Sequence, residues 1–235
     1  MIVEKMVLPA SGLILILASF NIKVVLGCMC MPIHPQSAFC KSEYIVKARI
    51  LSNKIIKVNH TDESLLNLGI PLPHHIVYKI LINSVLKNAK SSYRFNLQQI
   101  HSLHIPAAES ICGIQLEIGK LYLLTGQFDH TKLQMTSCDF HLKWHQLTVD
   151  MIEGMSGKYD CGCQVATCMD DYCDIENGCK WKVSWDNSFE DCVYKHLSCE
   201  KSHRKVCQWI QKSSYKQCLI AEKMFNRIPK VITKN

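Results

Sequence analysis

The chain has 235 residues, 14 of them cysteine, with 20% charged residues and a formal net charge of +7 at pH 7. So dense and even a set of cysteines fits an exported protein stapled by disulfides, leaves no obligate free thiol and argues against a cysteine nucleophile. The sequence holds no Gly-rich phosphate loop, no Gly-X-Ser-X-Gly elbow and no catalytic zinc motif, so an enzyme is disfavoured.

Residues 1–27 read as a signal peptide. Lys5 supplies positive charge beside Glu4, and Leu13 to Phe20 forms an apolar run too short to span a bilayer. Val25 and Gly27 are small enough to flank a cleavage point, which makes Cys28 the first residue of the mature chain. No other stretch approaches a transmembrane length. Val25-Leu26-Gly27-Cys28 also resembles a bacterial lipobox, in which Cys28 would be lipidated. The other cysteines and the one sequon, Asn59-His60-Thr61, favour a secreted eukaryotic protein with a glycan at Asn59.

Beyond the cysteine-rich start, Pro35 to Cys40 is expected to open a short helix with proline in its first turn. Tyr44 to Leu51 is a strand, extended by Ile55 to Val58, and residues 59–73 form a long polar loop. Further strands are expected at Ile76–Leu86, Tyr93–Ile105, Ile114–Ile118, Lys120–Thr125 and Lys132–Thr136. Short strands at this spacing predict a small antiparallel barrel or sandwich. Phe140 to Ile152 has helical spacing, with Gly154 and Gly157 ending it, and closes a first domain over residues 28–161. From residue 162 to 235 apolar runs are short, and eight cysteines in residues 163–218 must supply the stability that so small a core cannot.

Charge is uneven. Residues 192–235 hold ten lysines and arginines against two glutamates. Lys201, Arg204, Lys205, Lys212, Lys216, Lys223, Arg227, Lys230 and Lys234 form a basic end, which suits heparan sulfate or another matrix polyanion. Nucleic acid is not an expected partner.

Candidate metal ligands are weak. His141 and His145 are spaced one helical turn apart but lack the glutamate that follows the first histidine in a zincin. His74, His75, His101 and His104 read as surface residues. Asp170, Asp171, Asp174 and Glu176 read as a solvated acidic loop. A zinc site in the Cys161–Cys179 cluster is disfavoured in an oxidising compartment.

The stretch from Cys28 to Cys40, Cys-X-Cys-X-Pro-X-His-Pro-Gln-X-Ala-Phe-Cys, is long and specific. It resembles the mature start of the tissue inhibitors of metalloproteinases. The likeness continues at Ile111-Cys112-Gly113-Ile114, at Cys138-Asp139-Phe140 with Trp144, and at Cys161-Gly162-Cys163. Cys168 with Cys173, Cys179-Lys180-Trp181, Cys199 and Cys207-Gln208-Trp209 extend it over nearly the whole mature chain.

The resemblance implies a mainly β protein. An N-terminal five-stranded OB-fold barrel, the netrin-like module, carries flanking helices and precedes a small disulfide-rich C-terminal domain. It also implies the pairs Cys28–Cys112, Cys30–Cys138, Cys40–Cys161, Cys163–Cys207, Cys168–Cys173 and Cys179–Cys199, a connectivity that spacing alone leaves open. Cys192 and Cys218 have no counterpart in that set and are expected to bond to each other. In the family, the α-amine and carbonyl of the first cysteine, here Cys28, chelate the zinc of the target protease, and the inhibitor needs no cofactor of its own.

The resemblance also implies that the side chain at position 29 enters the S1′ pocket of the target protease. Met29 stands there in place of the usual small hydroxylated residue. Cys30, Met31 and Pro32, with Glu109, Ser110 and Ile111, complete the implied contact surface, and the loop at 52–75 is a further contact element. The implied partners are matrix metalloproteinases and the related ADAM-type metalloproteinases, met outside the cell. A non-inhibitory netrin-like module that binds matrix or a signalling partner is the rival reading.

Overall fold

The computed structural model describes residues 28–57, 74–169, 173, 175–183 and 191–225. The leader, Asn59 with the rest of residues 58–73, the acids Asp170, Asp171 and Asp174, and the bases Arg227, Lys230 and Lys234 lie outside the described residues.

Six strands form one sheet: β1 (Tyr44–Lys57), β2 (His74–Asn88), β3 (Ile100–Pro106), β4 (Leu121–Asp129), β5 (Lys132–Gln134) and β6 (His141–Lys143). Their order is β1-β2-β3-β5-β4-β6, and β1 also pairs with β4, so five strands close into a barrel. All pairings are antiparallel except β3 with β5. Closure follows from the alternation of side chains. Tyr44, Val46, Ala48 and Ile50 of β1 point inward with Ile76, Tyr78, Ile80 and Ile82 of β2, and meet Leu103, Ile105, Tyr122, Leu124 and Leu133. Each such aliphatic side chain withdrawn from water contributes about 1.5–3 kcal/mol. Three register shifts between β1 and β2 bend these long strands enough to let the ring close.

The outward residues Ile45 and Leu123 are buried too. They join Ala38, Phe140, Met151, Met155 and Tyr159 in a second cluster with Trp181, Val183 and Tyr194 from the C-terminal segment. That segment contains β7 (Gln164–Cys168) parallel to β8 (Gly178–Lys182), and β9 (Ser198–Lys201) antiparallel to β10 (Cys207–Ile210). Of the helices, α1 is Pro35–Lys41, α2 Val149–Glu153, α3 Cys192–His196 and α4 Ser213–Phe225. Among the described residues no helix is long and apolar enough to cross a membrane.

Several expected elements differ. Ile114–Ile118 is not a strand: it crosses the barrel wall irregularly, because the Tyr78 hydroxyl accepts the Leu116 N–H and the Tyr122 hydroxyl accepts the Glu117 N–H. The third strand begins only at Ile100. Tyr93 and Phe95 instead pack against the barrel core, their rings tilted against Phe128. Phe140–Ile152 is not one helix. His141–Lys143 is captured as an edge strand by β4, Trp144–Gln146 is a 3-10 turn, and Thr148 caps α2 by accepting the Met151 N–H at 3.2 Å. Residues 52–54 and 74–75, placed in the contact loop at 52–75, belong to β1 and β2, and the expected extension from Ile55 is continuous with β1 as far as Lys57.

Candidate functional site

The site is the chain start ahead of α1. Residues 28–34 have no regular structure, and their position is imposed from behind by three polar anchors. Pro35 opens α1, and the preceding His34 caps it, its Nδ1 accepting the Gln36 N–H at 3.2 Å. The proton therefore sits on Nε2, which faces the Val193 carbonyl at 3.4 Å. The ring is buried among Trp181, Trp209 and Tyr194, and burial lowers its pKa to about 4, so it is neutral at physiological pH. Gln36 is buried as well. Its Nε2 donates to the carbonyls of Asp160 (2.8 Å) and Cys199 (2.7 Å), and its Oε1 accepts the Cys199 N–H at 2.7 Å. Thr167 Oγ1 donates to the Pro32 carbonyl at 3.0 Å, which holds the base of the ridge against β7.

Two disulfides clamp the ridge from the barrel side. Cys28–Cys112 and Cys30–Cys138 have Cα separations of 5.1 and 5.0 Å, and the four sulfurs lie within 4.8 Å of one another. Cys112 takes a left-handed conformation (φ 61°) after the 3-10 turn Glu109–Ile111, its N–H bonding the Glu109 carbonyl at 3.1 Å. Gly113 is needed next to it, because a Cβ there would collide with the carbonyl oxygens of Pro106 and Ala108. The Ser137 N–H donates to the Cys112 carbonyl at 2.8 Å, so the two anchor loops are also joined to each other. Beside Cys138, the Asp139 carboxylate accepts from the N–H and hydroxyl of Thr136, while burial raises its pKa.

What this frame presents is apolar. Met29 is 82% exposed, Met31 48% and Ile111 43%, with exposed Glu109 and Ser110 alongside and Pro32 half-buried. Met31 lines two grooves, of about 350 and 540 Å³, and Cys30, Phe140 and Leu142 help line the smaller. A clamped ridge that projects exposed apolar side chains is suited to insertion into a cleft on another protein.

The remaining bridges are Cys40–Cys161, Cys163–Cys207, Cys168–Cys173, Cys179–Cys199 and Cys192–Cys218, and no cysteine is free. His141 and His145 do not form a metal pair. His141 lies on β6 with its Nδ1 donating to the Asp139 carbonyl, and His145 lies in the following turn. His101 is not a plain surface residue either: it bonds the Tyr93 hydroxyl and the Asn96 carbonyl. Of the basic end, Lys212 is committed to Asp150 at 2.9 Å. Arg204 and Lys205 lie in the turn between β9 and β10, and Lys216 and Lys223 are exposed on α4. Sequence reasoning quoted His34, Gln36, Gly113 and Asp139 within the motifs without assigning them a role. A proline at the first position of a short helix, preceded by a residue able to cap it, is the local signal for His34. Nothing local points to the distant partners of Gln36.

Comparison with known proteins places the chain among related sequences. A family model described as tissue inhibitor of metalloproteinase matches residues 27–209. Similar curated proteins include metalloproteinase inhibitor 3 of Scyliorhinus torazame, 27% identical over 85% of this chain and 89% of that protein. Metalloproteinase inhibitor 4 of Mus musculus is 29% identical over 78% of this chain and 80% of its own length. The tissue inhibitor of metalloproteinase of Drosophila melanogaster is 24% identical over 82% and 86%.

Proposed function

This chain belongs to the tissue inhibitor of metalloproteinase family, and we propose that its mature form, beginning at Cys28, is a secreted stoichiometric inhibitor of zinc metalloproteinases. The α-amine and carbonyl oxygen of Cys28 take up positions on the catalytic zinc of the target and displace the water that would attack a substrate. Only the neutral amine has a lone pair to give. A free α-amine titrates near about 7.7–8.0, so zinc displaces one easily lost proton. Met29 fills the S1′ pocket, and Met31, Pro32 and the Glu109–Ile111 turn widen the contact. Matrix metalloproteinases and ADAM-type metalloproteinases are the partners in this reading.

The observation that carries it is the double clamp. Bridges at Cys28 and Cys30, with Met29 exposed between them, hold the chain start in one shape before any partner arrives, which lowers the ordering cost of binding. The test is titration of a matrix metalloproteinase catalytic domain with the native protein and with a form carrying one extra alanine before Cys28. The extension converts the amine to an amide and adds bulk at the zinc, so inhibition should fall by orders of magnitude while thermal stability stays near native. Full potency in the extended form would falsify chelation and leave a netrin-like binding module as the better reading.

The exposed bases Arg204, Lys205, Lys216 and Lys223 support a second contact, with heparan sulfate or another matrix polyanion. Retention on heparin should weaken as salt rises. Unchanged retention after all four are replaced by glutamine would assign it elsewhere.

A further inference from the structure

Cysteine and methionine alternate through the first four residues of the ridge, and their sulfurs are in opposite chemical situations. The cysteine sulfurs are consumed in bridges and offer no thiolate to an oxidant. The two thioethers face solvent. Elsewhere Met135, Met151 and Met155 are buried in the two cores, while Met169 and Met224 are exposed but lie on the C-terminal segment. An oxidant approaching the folded protein therefore meets two reactive sulfurs in the contact ridge itself.

We propose that Met29 and Met31 form an oxidant-sensitive modification site, where conversion of the thioethers to sulfoxides weakens the hold of the ridge on its target. The proposal rests on the inhibitory reading above and adds a form of regulation to the same site. With hydrogen peroxide as the oxidant, a sulfur lone pair attacks one peroxide oxygen, the S–O bond forms as the O–O bond breaks, and water leaves. Sulfur loses two electrons and peroxide gains them. The product is polar and chiral where an apolar, flexible side chain stood. At position 29 it would have to be desolvated in an apolar pocket. At position 31 it would line the smaller groove with Cys30, Phe140 and Leu142. Methionine sulfoxide reductases reverse the change, so the loss is recoverable.

The experiment uses the full mature protein, its disulfides intact, exposed to graded hydrogen peroxide. Sulfoxides are mapped by mass spectrometry, and inhibition of a matrix metalloproteinase catalytic domain is measured before oxidation, after it, and after treatment with both reductases. Met29 and Met31 should oxidise well before Met135, Met151 and Met155. Inhibition should weaken by roughly tenfold to a hundredfold, the range that loss of one buried apolar side chain corresponds to, and should recover with the reductases. A Met29→Leu/Met31→Leu chain, whatever its starting potency, should show no change on oxidation, although its Met169 and Met224 still react. Unaltered inhibition by protein carrying sulfoxide at both ridge positions overturns the proposal, as does an equal loss in the double-leucine chain. Failure of the untreated protein to inhibit is seen before any peroxide is added, and overturns the inhibitory reading together with this one.

Discussion

Gln36 and Cys199 exchange a reciprocal pair of hydrogen bonds across 163 residues of sequence: the side-chain amide donates to the Cys199 carbonyl and accepts its N–H, both at 2.7 Å. The amide completes β9 as a neighbouring strand would, and also ties it to the helix that carries the ridge. Gln36→Leu should leave a buried carbonyl and N–H of Cys199, and the carbonyl of Asp160, without their partner. The expected cost is about 2–4 kcal/mol, read as a lower midpoint in denaturant with an unchanged slope. A loss under about 0.5 kcal/mol would mean that other groups satisfy these atoms.

His34 makes stability depend on pH. Its folded pKa is lowered to about 4 by burial, against about 6.5 in an unfolded chain. Between those values the unfolded state binds the extra proton, so stability falls as pH drops from about 7 towards about 4, by roughly 3 kcal/mol from this residue alone. Denaturation curves at pH 7.5 and 4.5 check this. A His34→Phe chain should be weaker at pH 7.5 yet lose less on acidification. Parallel losses in both chains would exclude the imidazole as the source.

Asp150 docks the C-terminal helix. Its carboxylate accepts from His196 Nδ1 at 2.8 Å, Lys212 Nζ at 2.9 Å and Ser214 Oγ at 2.6 Å, joining α2, α3 and the start of α4. These hydrogen bonds outweigh desolvation and lower its pKa, so the contact is present above the ordinary carboxylate range and is lost as pH falls through the folded value. Asp150→Ala should speed hydrogen exchange of the amides in residues 213–225 while those of β1 stay protected. Uniform change across the chain would argue that α4 has no separate anchor.

The Cys192–Cys218 bridge closes a loop with a sequence separation of 26 between α3 and α4. Replacing both cysteines with alanine should destabilise the chain by about 3 kcal/mol on the loop-entropy model. The ridge should keep its affinity for a metalloproteinase. A large loss of inhibition in that variant would show that α4 is coupled to the chain start through α3, where Val193 and Tyr194 meet His34.

Met29→Gly tests the side chain apart from the amine. It removes an apolar contact worth about 1–3 kcal/mol and should shift selectivity between proteases with different S1′ pockets. Equal losses against all of them would point to a general loosening of the ridge.

The barrel was legible because strands that bury one face repeat every second residue: Val46, Ala48 and Ile50, or Ile76, Tyr78, Ile80 and Ile82, announce themselves. The misread segments are those where tertiary partners override the local pattern. Ile114–Ile118 alternates like a strand, but its backbone is satisfied by two tyrosine hydroxyls; His141–Lys143 looks helical, but β4 offers it an open edge. At the site, the motif marked where the ridge lies and which residues face outward. It was silent on what holds the ridge, because Val193 and Cys199 meet His34 and Gln36 only after the chain has folded back on itself.

The clamp also orders events during synthesis. Cys28 is the first cysteine of the chain to leave the ribosome, yet its partner follows 84 residues later and that of Cys30 follows 108 later. The reciprocal bonds from Gln36 await Cys199. The start of the ridge thus waits for native partners made far downstream, Cys28 until β1 to β3 have been delivered and Cys30 until β4 and β5 have followed. A pulse-labelled chain halted before Cys112 should carry a reactive Cys28, and the lag before that thiol disappears measures how long the barrel takes to assemble around its own beginning.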